Sequence, residues 1–464
     1  MKIHEKGVGS LTKARKILWG NTWRTTKVKS KNDYVIIGLA LFAMFFGAGN
    51  LLFPPALGVM AGDNWFMTNL GFVVTGVGFP ILGVIALCKC GGSIDGMASK
   101  IHPLFSKALG IIVVLAIGPL LAIPRTGATV FEVGVKPLAP NVHPILSAVI
   151  YFSITLFFVI KPSGIMDKIG KILTPILVFM MGVIIVKGIV SPIGVATTST
   201  IVSPFGTGFR EGYQTMDALG SILMGGLVIV ALKEKGYNTS EEKMIMTAKA
   251  GLIAGLGLAF VYTGLMYIGS TASGVFGADL SKSELIMAIT SSILGGYGKI
   301  GMSLVVSAAC LTTSIGLTAV VGNYFNELSG DKISYKAIVI ATCIFSALAS
   351  VLGVELIVKL AIPLLVLVYP VVIILIILSL FSDILHNRNT FRGAVIGALL
   401  VSSFDALGVL GIKIEIINNL ISKLPFAASG FSWLLPSIAL SIAMTILIKD
   451  DKANKVYIED PEFV

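Results

Sequence analysis

The chain has 464 residues, of which 55% are hydrophobic and 13% charged, against roughly 25% charged in an ordinary soluble domain. With a mean hydropathy of +0.93, too few polar groups exist to cover a water-facing exterior, which excludes a cytosolic enzyme, a nucleic-acid-binding protein and a secreted disulfide scaffold. A polytopic membrane protein remains, and at about 20 residues per span roughly a dozen helices fit.

The net charge of +11 is an effect of position. Residues 1–33 form a basic arm in which nine Lys and Arg side chains, from Lys2 to Lys31, precede the first apolar run. Such an arm attracts anionic lipid and keeps the N-terminus in the cytoplasm. It is too long for a signal peptide, and the first apolar run meets Pro54-Pro55 rather than a small-residue cleavage site.

Twelve apolar runs follow, bounded by charged or turn-rich stretches. They predict an all-α integral membrane protein with helices near 34–58, 68–90, 109–131, 144–160, 170–190, 212–232, 246–270, 299–325, 334–352, 355–381, 391–411 and 429–448. With the N-terminus inside, 26 of the 35 Lys and Arg residues fall in cytoplasmic segments. That bias supports both the number of spans and the orientation, with a cytoplasmic tail over 449–464.

The first helix carries Phe46-Gly47-Ala48-Gly49-Asn50 at mid-span. Freed backbone groups in hydrocarbon cost several kcal/mol each unless they face a cavity or ligand, so this segment is predicted to break. Cys88 and Cys90 fall at the end of the second helix, Cys310 and Cys343 inside later ones; all four are read as structural. The third helix holds Arg125. The sixth begins Gly212-Tyr213-Gln214-Thr215-Met216-Asp217-Ala218-Leu219-Gly220-Ser221, a second polar break. Asp217 is ionisable at depth and therefore a functional candidate. Three roles are open to it: carrying a proton, holding a substrate ammonium, or pairing with Arg125. The external segment 271–297 contains an apolar stretch too short to span, read as a partly helical cap over the outer mouth. The eighth helix has the run Ala309-Cys310-Leu311-Thr312-Thr313-Ser314, whose hydroxyls either bond back to their own helix or complete an oxygen cage. In the tenth, Glu355 and Lys359 are spaced to pair locally.

Helices one and six each open a set of five. Broken helices at corresponding places in two halves point to an inverted-repeat transporter with its site at the breaks. One transporter domain over 34–448 is expected, with repeat one at 34–190, repeat two at 212–381 and two extra helices within 391–448. A half-helix N-terminus suits a carboxylate and the opposing carbonyls suit an ammonium or a metal cation. An amino acid zwitterion fits both. The candidate substrate residues are Phe45, Gly47, Ala48, Gly49, Asn50, Gln214, Thr215, Met216, Asp217 and Leu219, with Phe45, Met216 and Leu219 as an apolar wall.

The stretch Phe42-Ala43-Met44-Phe45-Phe46-Gly47-Ala48-Gly49-Asn50-Leu51-Leu52-Phe53-Pro54-Pro55, with Ala122-Ile123-Pro124-Arg125-Thr126 and the helix-six motif, resembles the bacterial branched-chain amino acid:cation symporters. These are the branched-chain amino acid transport system II carriers of the amino acid–polyamine–cation superfamily. The resemblance implies sodium- or proton-coupled uptake of leucine, isoleucine and valine across the bacterial cell membrane by alternating access. More distantly the chain is similar to the leucine-transporter-like 5+5 fold, and matching that pattern implies a sodium site. Its ligands would be the carbonyls of Ala43, Phe46 and Ala309 and the hydroxyls of Thr312 and Thr313. Asn50 aligns with an asparagine that holds a second sodium there. The outer-gate arginine of that fold is replaced by Phe53.

The four histidines all fall in loops or tails, which argues against a histidine proton relay and favours sodium as the coupling ion. No cluster of catalytic groups or metal ligands lies within a span, so no enzyme activity and no cofactor is expected. The expected partners are a branched-chain amino acid, sodium (or a proton) and the lipid bilayer, with no nucleic acid and no obligatory protein. The alternative is proton coupling, or a transporter of the same fold for another neutral amino acid.

Overall fold

The computed structural model describes residues 29–30, 32–160, 165–277, 280–412 and 414–448, with 165–174 and 176 described by backbone alone. Most of the basic arm and the tail 449–464 lie outside the described residues. Each of the twelve predicted runs is helical, and the described residues contain no β-strand. The first span is two pieces, α1a (Asp33–Phe45) and α1b (Ala48–Ala61). Then come α2 (65–89), α3 (Pro103–Val135), α4 (Pro144–Ile160) and α5 (Ile165–Val190). The sixth is again two pieces, α6a (Pro204–Thr215) and α6b (Asp217–Glu234), bent by 45°. The rest are α7 (Ser240–Ala272), an external helix over 282–294, α8 (296–328), α9 (Tyr335–Ser350), α10 (Val354–Leu380), α11 (Arg388–Val409) and α12 (Leu434–Leu447).

Local chemistry sets these ends. Thr239 accepts a hydrogen bond from Glu242 N and starts α7. Ser281 and Glu284 cap one another's backbone in a capping box at the external helix, the arrangement that satisfies two otherwise orphaned donors. Gly295, at φ 62°, turns that helix into α8, a conformation that glycine adopts without a Cβ clash.

Packing divides the helices into two groups. The broken helices pack against the second helix of the opposite set: α1b on α7 and α6a on α2. Both crossings depend on glycine. A Cβ on Gly58 would stand 2.2 Å from Met266 O, and one on Gly269 2.2 Å from Pro55 O. At the other crossing, a Cβ on Gly71 would stand 2.0 Å from Phe205 O and one on Gly208 1.8 Å from Thr68 O. Small residues let backbones approach closely where lipid gives no hydrophobic drive for association. The same solution used twice is the inverted repeat of the 5+5 leucine-transporter-like fold. The second group, α3, α4, α8 and α9, forms the other wall, while α10 covers the α6 break and α11 packs on α12. Large apolar side chains stay exposed on the outside, among them Phe157, Leu256 and Ile446; that surface is the one hydrocarbon covers.

Two elements differ from expectation. The sixth span begins at Pro204, eight residues before the predicted start. Its first turns, Gly206-Thr207-Gly208-Phe209-Arg210-Glu211, are too polar to read as a span; Gly208 is used at the α2 crossing and Gly206 packs against the backbone of Ser429. The third span is also broken: Gly118 is non-helical (φ −93°, ψ −128°), just before Pro119. Glu355 and Lys359 do not form an ion pair; both are exposed, and Glu355 sits in the first turn of α10, where the positive helix end favours an acid.

The candidate site at the two helix breaks

At the first break the chain leaves α1a through Phe46 (φ −76°, ψ 93°) and re-enters helix after Gly47 (φ −124°, ψ −164°). Asn50 turns back and its Oδ1 accepts from Gly47 N at 3.2 Å. One freed donor is thereby satisfied from within, as an N-cap does.

The second break has a different construction. α6a tightens into a 3-10 turn over Gly212–Thr215, Met216 takes the left-handed conformation (φ 63°, ψ 10°), and Asp217 starts α6b. Thr215 Oγ1 accepts from Asp217 N at 3.3 Å. Tyr213 stacks on Tyr369 of α10, with centroids 4.4 Å apart.

A buried polar cluster joins the two breaks. Asn50 Nδ2 donates to Asp217 Oδ2 at 2.6 Å. Tyr262 of α7 donates its hydroxyl to the same oxygen at 3.2 Å and also contacts Asn50 Nδ2. Asn50, Asp217 and Tyr262 are all buried. Arg125 approaches from α3. Its Nη1 donates to Gln214 O at 2.6 Å, and its guanidinium stands 5.7 Å from the centroid of the Phe53 ring.

The pairing of Asp217 with Arg125, one of three roles left open, does not form. Asp217 is turned toward Asn50 and Tyr262, and Arg125 toward the α6a carbonyl end. Tyr262 was not found from sequence, since a lone tyrosine in an apolar helix gives no pattern.

The two breaks enclose a cavity of ≈ 30 Å³ whose walls include Phe45, Gly47, Ala48, Asn50, Thr215, Met216, Asp217, Arg125 and Thr313. That is room for about two waters, so a branched side chain enters only if the walls part. Seven of the ten predicted substrate residues line it. Gly49 instead faces Arg125 and the Gln214 carbonyl. Gln214 holds Arg125 through its backbone, and Leu219 is fully buried away from the cavity wall.

Of the five predicted sodium ligands, two meet between α8 and the first break. Thr313 Oγ1 lies 3.5 Å from Phe46 O across the first break. Thr312 Oγ1 donates to Ala309 O at 2.9 Å within its own helix, the back-bonding arrangement that is also a purely structural habit of threonine. Ala43 is half-buried on α1a, one turn before Phe46.

Both ends of the path are closed. Beyond the cavity, buried Phe53 lies between Arg125 and Lys282 of the external helix, whose Nζ is also 5.7 Å from the ring centroid. At the opposite end Asp33 of α1a is bound by Lys235 and Tyr237 at the foot of α6b. Lys29 adds a more exposed pair with Glu242 at 2.5 Å.

Paired broken helices packed on opposite repeats, with a polar cluster between them, are the architecture of a multi-pass membrane transport protein rather than an enzyme. The chain belongs to the branched-chain amino acid transport protein family, whose model matches residues 30–451. It is 38% identical over 432 residues to the branched-chain amino acid permease BrnQ of Bacillus subtilis, covering 91% of this chain and 98% of that protein. It is 36% identical over 419 residues to the branched-chain amino acid transport system 2 carrier protein of Pseudomonas aeruginosa, covering 89% and 95%. Among solved structures, MhsT in complex with L-phenylalanine superposes with a TM-score of 0.54 at 16% identity, over 91% of this chain and 98% of that one. The nucleobase-cation-symport-1 transporter MHP1 does so at 0.58 and 12%, over 91% and 95%. These last likenesses concern the fold.

Proposed function

We propose that this protein imports leucine, isoleucine and valine across the bacterial cell membrane, coupled to sodium, by alternating access with both termini in the cytoplasm. The observation that carries the reading is the Asn50–Asp217 bond that ties the first break to the second. It puts the two sets of freed backbone groups on one small cavity. The names of the relatives from Bacillus and Pseudomonas support the substrate class.

The substrate lies between Gly47–Asn50 and Gln214–Asp217, its ammonium toward Asp217 and its side chain toward Phe45 and Met216. One methylene is worth only about 1–3 kcal/mol in an apolar pocket, so all three branched side chains are accepted. Sodium sits beside the first break, held by the Phe46 carbonyl and Thr313, with Ala43, Ala309 and Thr312 completing the set. Each cation moved inward gains about 2.3 kcal/mol per 100 mV, enough to accumulate a neutral zwitterion roughly tens-fold. Loading requires the Phe53–Lys282 end to open; release requires Asp33 to part from Lys235 and Tyr237.

Asp217 also supports a second reading. A buried carboxylate with no ion-pair partner among the described residues is a site for a coupling proton. Leucine uptake into proteoliposomes, with sodium and proton gradients imposed separately, decides between the two. Uptake driven by sodium alone is expected. Uptake driven by protons and indifferent to sodium removes the ion assignment, and no uptake of any branched-chain amino acid removes the substrate.

A further inference from the structure

Arg125 is 3% exposed, inside a membrane span, and no described carboxylate lies within ion-pair distance of it. An isolated buried charge is among the costliest groups a membrane protein can carry. None of its direct contacts carries the opposite charge. One nitrogen donates to the Gln214 carbonyl, the Phe53 ring lies 5.7 Å away, and Nε has no hydrogen-bond partner among the described residues. The guanidinium is nevertheless held in place. A Cβ on Gly49 would stand 2.8 Å from Nη2 and 3.2 Å from Cζ, so this glycine is what lets the charge lie against α1b. Arg125 lines the same cavity as Asn50, Thr215 and Asp217.

We propose that Arg125 binds the carboxylate of the transported amino acid, an assignment that rests on the amino acid uptake proposed above. A guanidinium presents a planar fork of donors that matches a carboxylate in two parallel bonds. The other anion-binding choice, the N-terminal end of a half-helix, is weaker at both breaks. At α1b the Gly47 N–H is already taken by Asn50, and at α6b the first residue is itself the acid Asp217. With Arg125 on one side and Asp217 on the other, a zwitterion bridges two charges that do not reach each other. Substrate thus gives each of these groups an opposite charge at contact distance, which neither gives the other in the empty carrier.

The test compares leucine with leucinamide and isoamylamine, which lack the carboxylate, as competitors of labelled leucine uptake by the full chain in proteoliposomes. In the wild type both analogues compete roughly 100-fold less well than leucine, the range expected for lost hydrogen bonds to a charged group. Arg125→Gln loses leucine uptake by a similar factor and, in direct binding, no longer prefers leucine to leucinamide; Arg125→Lys recovers part of the preference. Leucinamide competing as well as leucine in the wild type overturns the assignment, as does an Arg125→Gln protein that keeps the preference. If Arg125→Gln fails to fold, the wild-type ratio and Arg125→Lys still decide. Failure of the uptake reading is distinct, because the wild type then takes up no branched-chain amino acid under either gradient, and it removes the Arg125 assignment as well.

Discussion

The two breaks interrupt corresponding helices by unlike means. The first uses glycine and an extended residue, and caps itself with Asn50. What it leaves free is carbonyl oxygen, with the Thr313 hydroxyl facing Phe46 O. The second tightens into a 3-10 turn and forces Met216 into the left-handed region. It presents a buried carboxyl group, Asp217, and a carbonyl end held by Arg125. The first break is therefore suited to a small cation and the second to a charged organic group. The Asn50–Asp217 bond joins the two.

The largest test of that division is Asp217→Ala. It leaves donors on Asn50 and Tyr262 buried without their acceptor, at a cost of about 1–3 kcal/mol each, and it removes the charge. Leucine uptake should fall by roughly 100-fold or more. Asp217→Asn keeps an acceptor and separates the two effects; if it transports normally, the cluster is a clasp and the charge has no part in transport.

Met216→Gly is expected to lower stability. Relief of the left-handed backbone returns about 1 kcal/mol, while truncating a buried methionine costs about 2–5 kcal/mol. Thermal unfolding in detergent reads the balance; a more stable variant would mean that the Met216 side chain is not part of a packed wall.

Gly49→Ala drives a methyl group against Arg125, an overpacking cost of about 1–3 kcal/mol. Leucine affinity should weaken by about tenfold, with the sodium requirement little changed. A Cβ on Gly47 meets Thr313 Oγ1 at 3.2 Å instead, so Gly47→Ala should act on sodium more than on leucine. The reverse pattern would exchange the roles of the two glycines.

The smallest effect is at α8. Thr313→Ala removes one hydroxyl facing the first break, worth about 1 kcal/mol. It should raise the sodium concentration for half-maximal uptake several-fold, and Thr312→Ala should raise it less, since that hydroxyl is bonded within its own helix. Equal responses would mean that the bond within α8 opens when the ion is bound.

Much of this was legible in the chain itself. Twelve helices followed from apolar runs that must satisfy their own backbone in lipid, and both breaks followed from glycine and polar residues where such runs cannot tolerate them. What the chain left open was side-chain direction. Asp217 and Arg125, the two charges nearest each other in function, were a natural pair in sequence, yet each finds other partners. Tyr262 gave no signal because a single hydroxyl in an apolar helix has no period. The polar start of α6a was lost because glycines that serve close packing look like a loop.

Composition determined on its own that this chain lives in a membrane. The periodic loss of apolar character determined where its helices run and where two of them stop. Those are local consequences of backbone hydrogen bonding without water. Which groups face one another across the breaks was decided only by tertiary structure. The crossings of α1b with α7 and of α6a with α2 fix the rotation of each helix. That rotation turns Asp217 toward Asn50 and Tyr262 and leaves Arg125 buried with no described carboxylate at ion-pair distance.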